Sequence, residues 1–438
     1  MDTPSLLASI VGLENVLSAE RSHKFTIGGV SPSVGAAFPG CIDEVQSLVQ
    51  LCVRDHLSIV PVGGTTKTHR CSQPDSYDVA LVTTRLNRIV DYQKDNLVFA
   101  AEAGMIGLDT RHLLARNRQL LPLDCPLFDK STLGGLVASR ASGPARLAHG
   151  TPRDSVIGLT VVNAEGEIVK AGGKVVKNVS GYDMCKLYAG SLGTLGVIVE
   201  TVFKLSPLPE RSVAAIVDFE NWDSADRVVA AIMDSSLQPR CIELLNRPAT
   251  FQVSQNTRAD ASCTLFVGFD GAAEQVEFQM GMLEDMAQDN HGLGFGETPF
   301  DWHSPLHQAL MDVDAVNEGG ALFILRGLPS DVPVLAMKAE VAFNEAGRHP
   351  GIIASAANGI VRIVCAECDA AHLTQLDDRL HNMISGVRGL SLQTFSTRGG
   401  LAQDTWRSEV AGLCLMKGIK QTLDPNGVFA GGRFVGGI

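Results

Sequence analysis

Gly172-Gly-Lys-Val-Val-Lys-Asn-Val-Ser-Gly-Tyr-Asp-Met-Cys-Lys-Leu-Tyr-Ala-Gly-Ser-Leu-Gly-Thr-Leu-Gly-Val-Ile198 sets Gly181, Gly190, Gly193 and Gly196 among Tyr182, Asp183, Ser191 and Thr194. Without a Cβ, glycines at this density let the main chain turn, or approach a flat or phosphorylated group closely. The segment follows a strand signal, passes through a short helix and enters a new strand. Binding residues concentrate at such element ends.

The pattern on either side is a mixture of helix and strand. Residues 41–56 carry apolar positions at helical spacing, with Asp43 and Glu44 in the first turn. Ser58–Val62, Val79–Thr83, Ile89–Tyr92 and Leu97–Ala101 read as short strands, and Leu108–Arg118 as a helix. Val156–Asn163 and Ile168–Ala171 form a hairpin through Glu165-Gly166. Leu205-Ser-Pro-Leu-Pro-Glu210 reads as a linker, because two prolines break any continuing element. Beyond it a β-α-β order occurs about twice, the last helix covering 407–423. The expected architecture is α+β throughout. An N-terminal domain covers residues 1–206, and a ferredoxin-like α+β domain with an antiparallel sheet and helices on one face covers 207–405. Residues 406–438, a helix and glycine-rich tail, return to the first domain.

Composition narrows the function classes. A chain of 438 residues is long enough for two or three cores. A net charge of −12 and an aromatic share of 5% argue against nucleic acid and against an anionic membrane surface. The N-terminus has no basic leader and no apolar run reaches membrane-spanning length, so the expected location is cytoplasmic. The ten cysteines are dispersed, with one close pair, Cys365-Ala-Glu-Cys368. A single CxxC reads first as two ordinary thiols, and no cysteine run suits an iron–sulfur cluster or another metal.

Four segments could hold a ligand. Pro61-Val-Gly-Gly-Thr-Thr-Lys-Thr68 follows a strand, and its consecutive N–H groups can nest an anion, with Thr65, Thr66 and Lys67 as further donors. It has neither Walker nor Rossmann spacing. In Leu123-Asp-Cys-Pro-Leu-Phe-Asp-Lys-Ser-Thr-Leu-Gly-Gly135, Ser131 or Thr132 caps a helix beside two glycines. Ser142-Gly-Pro-Ala-Arg-Leu-Ala-His-Gly-Thr-Pro-Arg-Asp154 clusters Arg146, His149, Arg153 and Asp154 in one loop. The opening stretch is the fourth.

Together these segments resemble the FAD-binding (PCMH-type) domain of the vanillyl-alcohol oxidase/para-cresol methylhydroxylase family. The likeness runs through Phe38-Pro-Gly-Cys-Ile-Asp-Glu-Val45, Pro61-Val-Gly-Gly-Thr, Thr132-Leu-Gly-Gly135, Arg153-Asp154 and Gly190-Ser-Leu-Gly-Thr-Leu-Gly196. Lys177-Asn-Val-Ser-Gly-Tyr-Asp183 and Leu423-Asp-Pro-Asn-Gly-Val-Phe429 look most like the E-type, FAD-binding subunits of bacterial glycolate oxidases. The resemblance implies two α+β subdomains holding FAD, with the flavin ring between the two domains. Carried over by position, the pyrophosphate would meet Val62, Gly63, Gly64, Thr65 and Thr66. Thr132, Gly134 and Gly135 would lie along the ribityl chain and ring. Gly190, Gly193, Thr194, Gly196, Val197 and Ile198 would hold the adenine side and ring edge, and Pro126, Ser142, Arg153 and Asp154 complete the cofactor set. Thr65 stands where relatives with covalent flavin carry His or Cys, which implies non-covalent FAD.

The same resemblance implies oxidation of a 2-hydroxy acid, or relay of its electrons, within a complex holding a second FAD subunit and an iron–sulfur subunit. Any membrane association would come through those partners. The alternative is a non-catalytic subunit with a vestigial or structural flavin site. Relatives that oxidise 2-hydroxy acids carry histidines where this chain reads Ala356-Ala-Asn-Gly-Ile-Val-Arg362. Arg326, Arg362 and His149 are the candidate ligands for an anionic substrate.

Overall fold

The computed structural model describes residues 3–174, 181–255, 258–315, 319–385, 387, 389–396, 405–406 and 410–438. The Lys177–Ser180 part of the subunit-type motif therefore lies outside the described residues.

Among the described residues three large sheets carry the molecule, and Ser206–Pro207 pairs with Gln119–Leu120 in a fourth, two-stranded one. In the first, Ile59–Val62 pairs in parallel with Val79–Val82, which pairs in parallel with Gly35–Ala37; Val16–Ser18 adds an antiparallel edge. Parallel strands need a crossover, and the helix Ile42–Arg54 supplies one. Its apolar stripe, Val45, Leu48, Val49 and Cys52, is fully buried. The chain's tail returns to this sheet: Phe429 bridges Ile59 in parallel, and Ile59 N donates to Val428 O at 2.7 Å.

The second sheet is antiparallel, in the order Ile89–Gln93, Val98–Glu102, Val197–Lys204, Val156–Val162, Ile168–Gly172. Its hairpin turns at Gly166 (φ 76°), where Asn163 Oδ1 accepts from the amides of Glu165 and Glu167. Val197–Lys204, the strand that the opening stretch runs into, is central. Its side chains serve two cores: Val197 and Val199 pack with the first sheet and Ile198 with the second sheet's own helices, and past the register shift at Val202/Phe203, Phe203 joins Ile198 there. That strand fixes the two subdomains to each other.

The third sheet has eight antiparallel strands spanning 211–396. Helices Trp222–Met233, Ala273–Asp289, Val332–Glu345 and Ala370–Ile384 cover one face, over a core that includes Val217, Leu244, Phe323 and Val361. Period-2 alternation sends Leu245, Leu322, Ile324 and Ile360 to the opposite face. Short helices Arg247–Ser254 and Pro305–Asp312 cover part of that face. The rest looks toward residues 139–146 and 187–195. The final helix starts at Leu413 instead of 407, after Gly412 in the left-handed region (φ 81°), and ends at Leu423. Among the described residues no helix is long and apolar enough to cross a membrane.

Candidate flavin groove and arginine-lined cavity

The strand Ile59–Val62 delivers the turn Gly63–Thr66 against the segment that starts the helix Leu133–Ser139. The fit is tight enough to require glycine. A Cβ on Gly63 would stand 2.1 Å from Thr132 Oγ1, and one on Gly64 would stand 2.0 Å from the carbonyl oxygen of Lys130. Thr65 occupies the left-handed region (φ 60°), its hydroxyl bonded to Gly64 O at 2.7 Å. Thr132 is the helix cap, accepting from Gly135 N at 3.2 Å. Gly193 (φ 76°) closes the groove from the other side. Val62, Gly63, Gly64, Thr65, Thr66, Thr132, Gly134, Gly135, Gly193, Gly196, Val197 and Ile198 thus line one groove.

Lys67 lines the same groove, but its ammonium is committed to other partners. It donates to Pro126 O, to Ser131 Oγ at 3.1 Å and to Thr66 Oγ1 at 3.3 Å, and burial pulls its pKa down. Pro126 therefore contributes its carbonyl to Lys67.

The groove shares Ser139 and Leu192 with a cavity of about 500 Å³, within the usual range for a ligand site. The floor is the uncovered face of the eight-stranded sheet. Arg326 and Arg362 have the same parity as Ile324 and Ile360, so the alternation that buries those apolar side chains also aims both arginines at the cavity. Ser142, Gly190 and Thr194 line the opposite wall, with Arg140, Arg146 and Lys186. Arg70 enters from the segment after the glycine turn.

These cations are not equivalent. Arg362 Nη2 meets Glu243 Oε2 at 2.8 Å and Ser355 Oγ at 2.9 Å, and its Nη1 meets Asp314 Oδ2 at 3.3 Å. Burial works against its charge, yet Glu243 and Asp314 outweigh that and raise its pKa. Arg70 also pairs with Asp314, at 3.3 Å. Arg326 donates to Gln393 Oε1, a neutral partner. Burial, then repulsion from Arg146, Arg70 and Arg140, pushes its pKa down to about 10. The Arg146 pKa is lowered by burial and by Arg140, and among the described residues its guanidinium reaches only the Ser142 hydroxyl, at 3.5 Å. Asp314 is the one acidic group among the described residues lining the cavity, and none of those residues is a histidine.

Three sequence candidates lie elsewhere. Asp154 caps its own short helix, accepting from Thr151 N and Oγ1 at 2.8 Å. Arg153 offers its backbone carbonyl to Lys186. His149 lies against the Trp302 ring, at 5.7 Å between centroids, and borders a separate cavity with Arg240 and Asp270. Beside it, buried His307 Nε2 stands 3.3 Å from Asp124 Oδ2 and packs edge-on to Trp302. Sequence reasoning missed Arg70, Asp314, Glu243 and Arg433. Arg433 lines the glycine groove from the tail, and a solitary arginine amid tail glycines was the available signal.

Two family models match this chain: an FAD binding domain over residues 34–172, and the C-terminal domain of FAD linked oxidases over residues 208–297. The chain thus has the two-domain architecture of an FAD-linked oxidase. It is 32% identical over 250 residues to glycolate oxidase subunit GlcD of Bacillus subtilis, covering 56% of this chain and 53% of that one. It is 29% identical over 260 residues to a mitochondrial D-lactate dehydrogenase [cytochrome] of Arabidopsis thaliana, covering 59% and 46%. The chain thus spans about half the length of these relatives. In fold it matches p-cresol methylhydroxylase with substrate bound, at TM-score 0.77 and 16% identity over 98% of this chain and 95% of the other.

FAD is the cofactor of this family, and the residues fit it. The groove is walled by glycines whose missing Cβ atoms leave backbone exposed to a ligand. Five buried polar atoms on residues lining the groove and cavity, Arg70 Nε, Ser191 Oγ, Asp314 Oδ1, Arg362 Nε and Arg433 Nε, have no partner among the described residues. Orphaned groups of this kind are costly unless a ligand or water meets them.

Proposed function

We propose that this chain is the FAD-binding subunit of a glycolate-oxidase-like complex. It oxidises a small 2-hydroxy acid, or relays that acid's electrons, to an iron–sulfur partner subunit. Residues 1–206 and 406–438 form the flavin-holding unit, and 207–405 the substrate- or partner-facing unit. The observation that carries the reading is the cationic cavity opening from the glycine groove. Arg326 and Arg146 have no carboxylate partner among the described residues, so an acid entering the cavity meets positive charge left uncompensated. A guanidinium binds a carboxylate through two parallel hydrogen bonds.

FAD, when bound, supplies a two-electron acceptor for the hydride on the hydroxyl-bearing carbon. The chain's own residues bind and orient. Arg326 and Arg146 hold the carboxylate, and Val62–Thr66 with Gly193 hold the cofactor's phosphates. The Arg362–Glu243–Asp314 network keeps the floor rigid and its charges paired. A second reading, a relay or structural subunit, is favoured by one observation: Asp314, the acid of the cavity, has Oδ2 held by both Arg70 and Arg362. An oxygen shared by two guanidiniums is occupied and not aimed at a substrate proton.

Anaerobic mixing of the FAD-loaded protein with glycolate or lactate separates these readings. Saturable bleaching of the flavin is expected. A yellow protein that no 2-hydroxy acid bleaches would refute oxidation by this chain and leave the relay reading.

A further inference from the structure

The glycine groove needs a cation for a diphosphate, and the sequence offers Lys67. That ammonium is already tied to Pro126 O, Ser131 Oγ and Thr66 Oγ1. Among the described residues lining the groove there is one other cation. Arg433 comes from the tail, more than 360 residues away in the chain. Its side chain is buried, with 6% of the residue exposed, and it lines the groove together with Gly63, Gly64, Thr65 and Thr66.

The tail holds Arg433 firmly in this position. Phe429 bridges Ile59, and Ala430 N donates to Ile59 O at 3.0 Å, so the tail runs beside the strand that feeds the glycine turn. Arg433 O accepts from Ser72 N at 3.1 Å. Gly432, just before it, takes φ 83° and packs so closely that a Cβ would come 3.0 Å from Gln73 O. The guanidinium is only partly satisfied. Nη1 donates to Leu192 O at 2.8 Å, Nη2 stands 3.9 Å from Cys71 Sγ, and Nε is buried with no partner among the described residues. No acidic residue is among the described residues lining the groove. A buried guanidinium with one idle N–H and no counter-charge lacks an anion.

We propose that Arg433 is the cation that pairs with the FAD diphosphate, facing it across the groove from the Gly63–Thr66 turn. The turn offers neutral backbone N–H groups, and Arg433 supplies the full positive charge and a fork geometry matched to phosphate oxygens. The C-terminal tail thereby becomes part of the cofactor site. Its docking on the Ile59 strand and the retention of FAD are coupled.

The test is cofactor binding to the apoprotein, with FAD and riboflavin as probes at several salt concentrations. Arg433→Met and Arg433→Gln are expected to weaken FAD by about tenfold to a hundredfold, the range of a charge-assisted hydrogen bond. They should also flatten the salt dependence of FAD affinity, and leave riboflavin, which has no phosphate, within about twofold of wild type. Arg433→Lys should recover most of the affinity and the salt dependence. Equal weakening of FAD and riboflavin, or an FAD loss with unchanged salt dependence, would assign Arg433 a purely structural role and overturn the proposal. Unchanged FAD affinity would overturn it directly. If the neutral variants fail to fold, Arg433→Lys decides: a salt dependence lost in that variant contradicts the pairing.

Discussion

Arg326→Met separates a cation kept for a ligand from one kept for the fold. Arg326 is charged beside Arg146, Arg70 and Arg140, and its pKa falls from 12.5 to about 10. Holding the charge there costs about 3 kcal/mol before solvent is counted. Screening at the open side of the cavity leaves roughly 1–2 kcal/mol. The sign is clear: a lowered arginine pKa costs stability at every pH below the folded value, including neutrality. Methionine keeps the stem and removes the charge, so the variant should melt a few degrees higher. Anion binding should move the other way. One charge-assisted hydrogen bond to a carboxylate contributes about 1.5–3 kcal/mol, or roughly 10- to 150-fold in affinity. The assay is titration of the FAD-loaded protein with a non-reacting acid such as oxalate, followed by flavin absorbance, beside a thermal melt. Arg362→Met is the contrast. It strands Glu243, 0% exposed, and half of the Asp314 pairing, so a loss of about 3–5 kcal/mol is expected. Were Arg326→Met to bind oxalate like wild type, or to unfold as readily as Arg362→Met, the division between ligand-binding and structural arginines would be wrong.

Further outcomes follow from local geometry. Gly64→Ala places a Cβ 2.0 Å from a backbone oxygen that cannot rotate away, so a loss of about 1–3 kcal/mol and of FAD content is expected, whereas Gly173→Ala, with nothing within 4 Å, should leave melting temperature and flavin content unchanged. Lys420→Met removes the donor to Thr194 O, Phe429 O and Asp424 and leaves Asp424 buried without its cation, so a melt should fall steeply, by about 3–5 kcal/mol in chemical denaturation. The hydrogen bond from Cys368 holds the Cys365 thiol below the ordinary thiol range, so its alkylation should extend to lower pH than that of an ordinary thiol and shift to higher pH in Cys368→Ala, which removes the donor. Mass spectrometry of iodoacetamide-treated protein reads this out site by site.

Most elements were legible because their signals are local. The helix Ile42–Arg54 shows its stripe and its charged ends in the sequence, and the 156–172 hairpin shows its turn. The glycine turns were legible for the same reason, since a missing Cβ is a one-residue fact. Helices Arg247–Ser254 and Pro305–Asp312 were not read. Yet Asn246 and Ser304 cap them, accepting from Ala249 N and His307 N, and a proline sits in each first turn. The strands Phe295–Pro299 and Ser391–Ser396 are short and partly polar, and only pairing with neighbours defines them. The charge pattern of the cavity was not readable at all. Arg70 and Asp314 are 244 residues apart in the chain, and whether an arginine is paired or left for a ligand depends on which strand face it shares with a carboxylate. Sequence placed Arg326 and Arg362 together as candidates. Only the register of the eight-stranded sheet, which brings Glu243 beside Arg362 and Gln393 beside Arg326, distinguishes them.

The most direct test of the account is a crystal structure of the FAD-loaded protein with a bound 2-hydroxy acid or oxalate. The account predicts the diphosphate between Gly63–Thr66 and Arg433, and the flavin ring reaching into the cavity between residues 190–195 and the sheet. The acid's carboxylate should lie within hydrogen-bond distance of Arg326. A ring outside that cavity, or an acid bound away from Arg326 and Arg146, would contradict it.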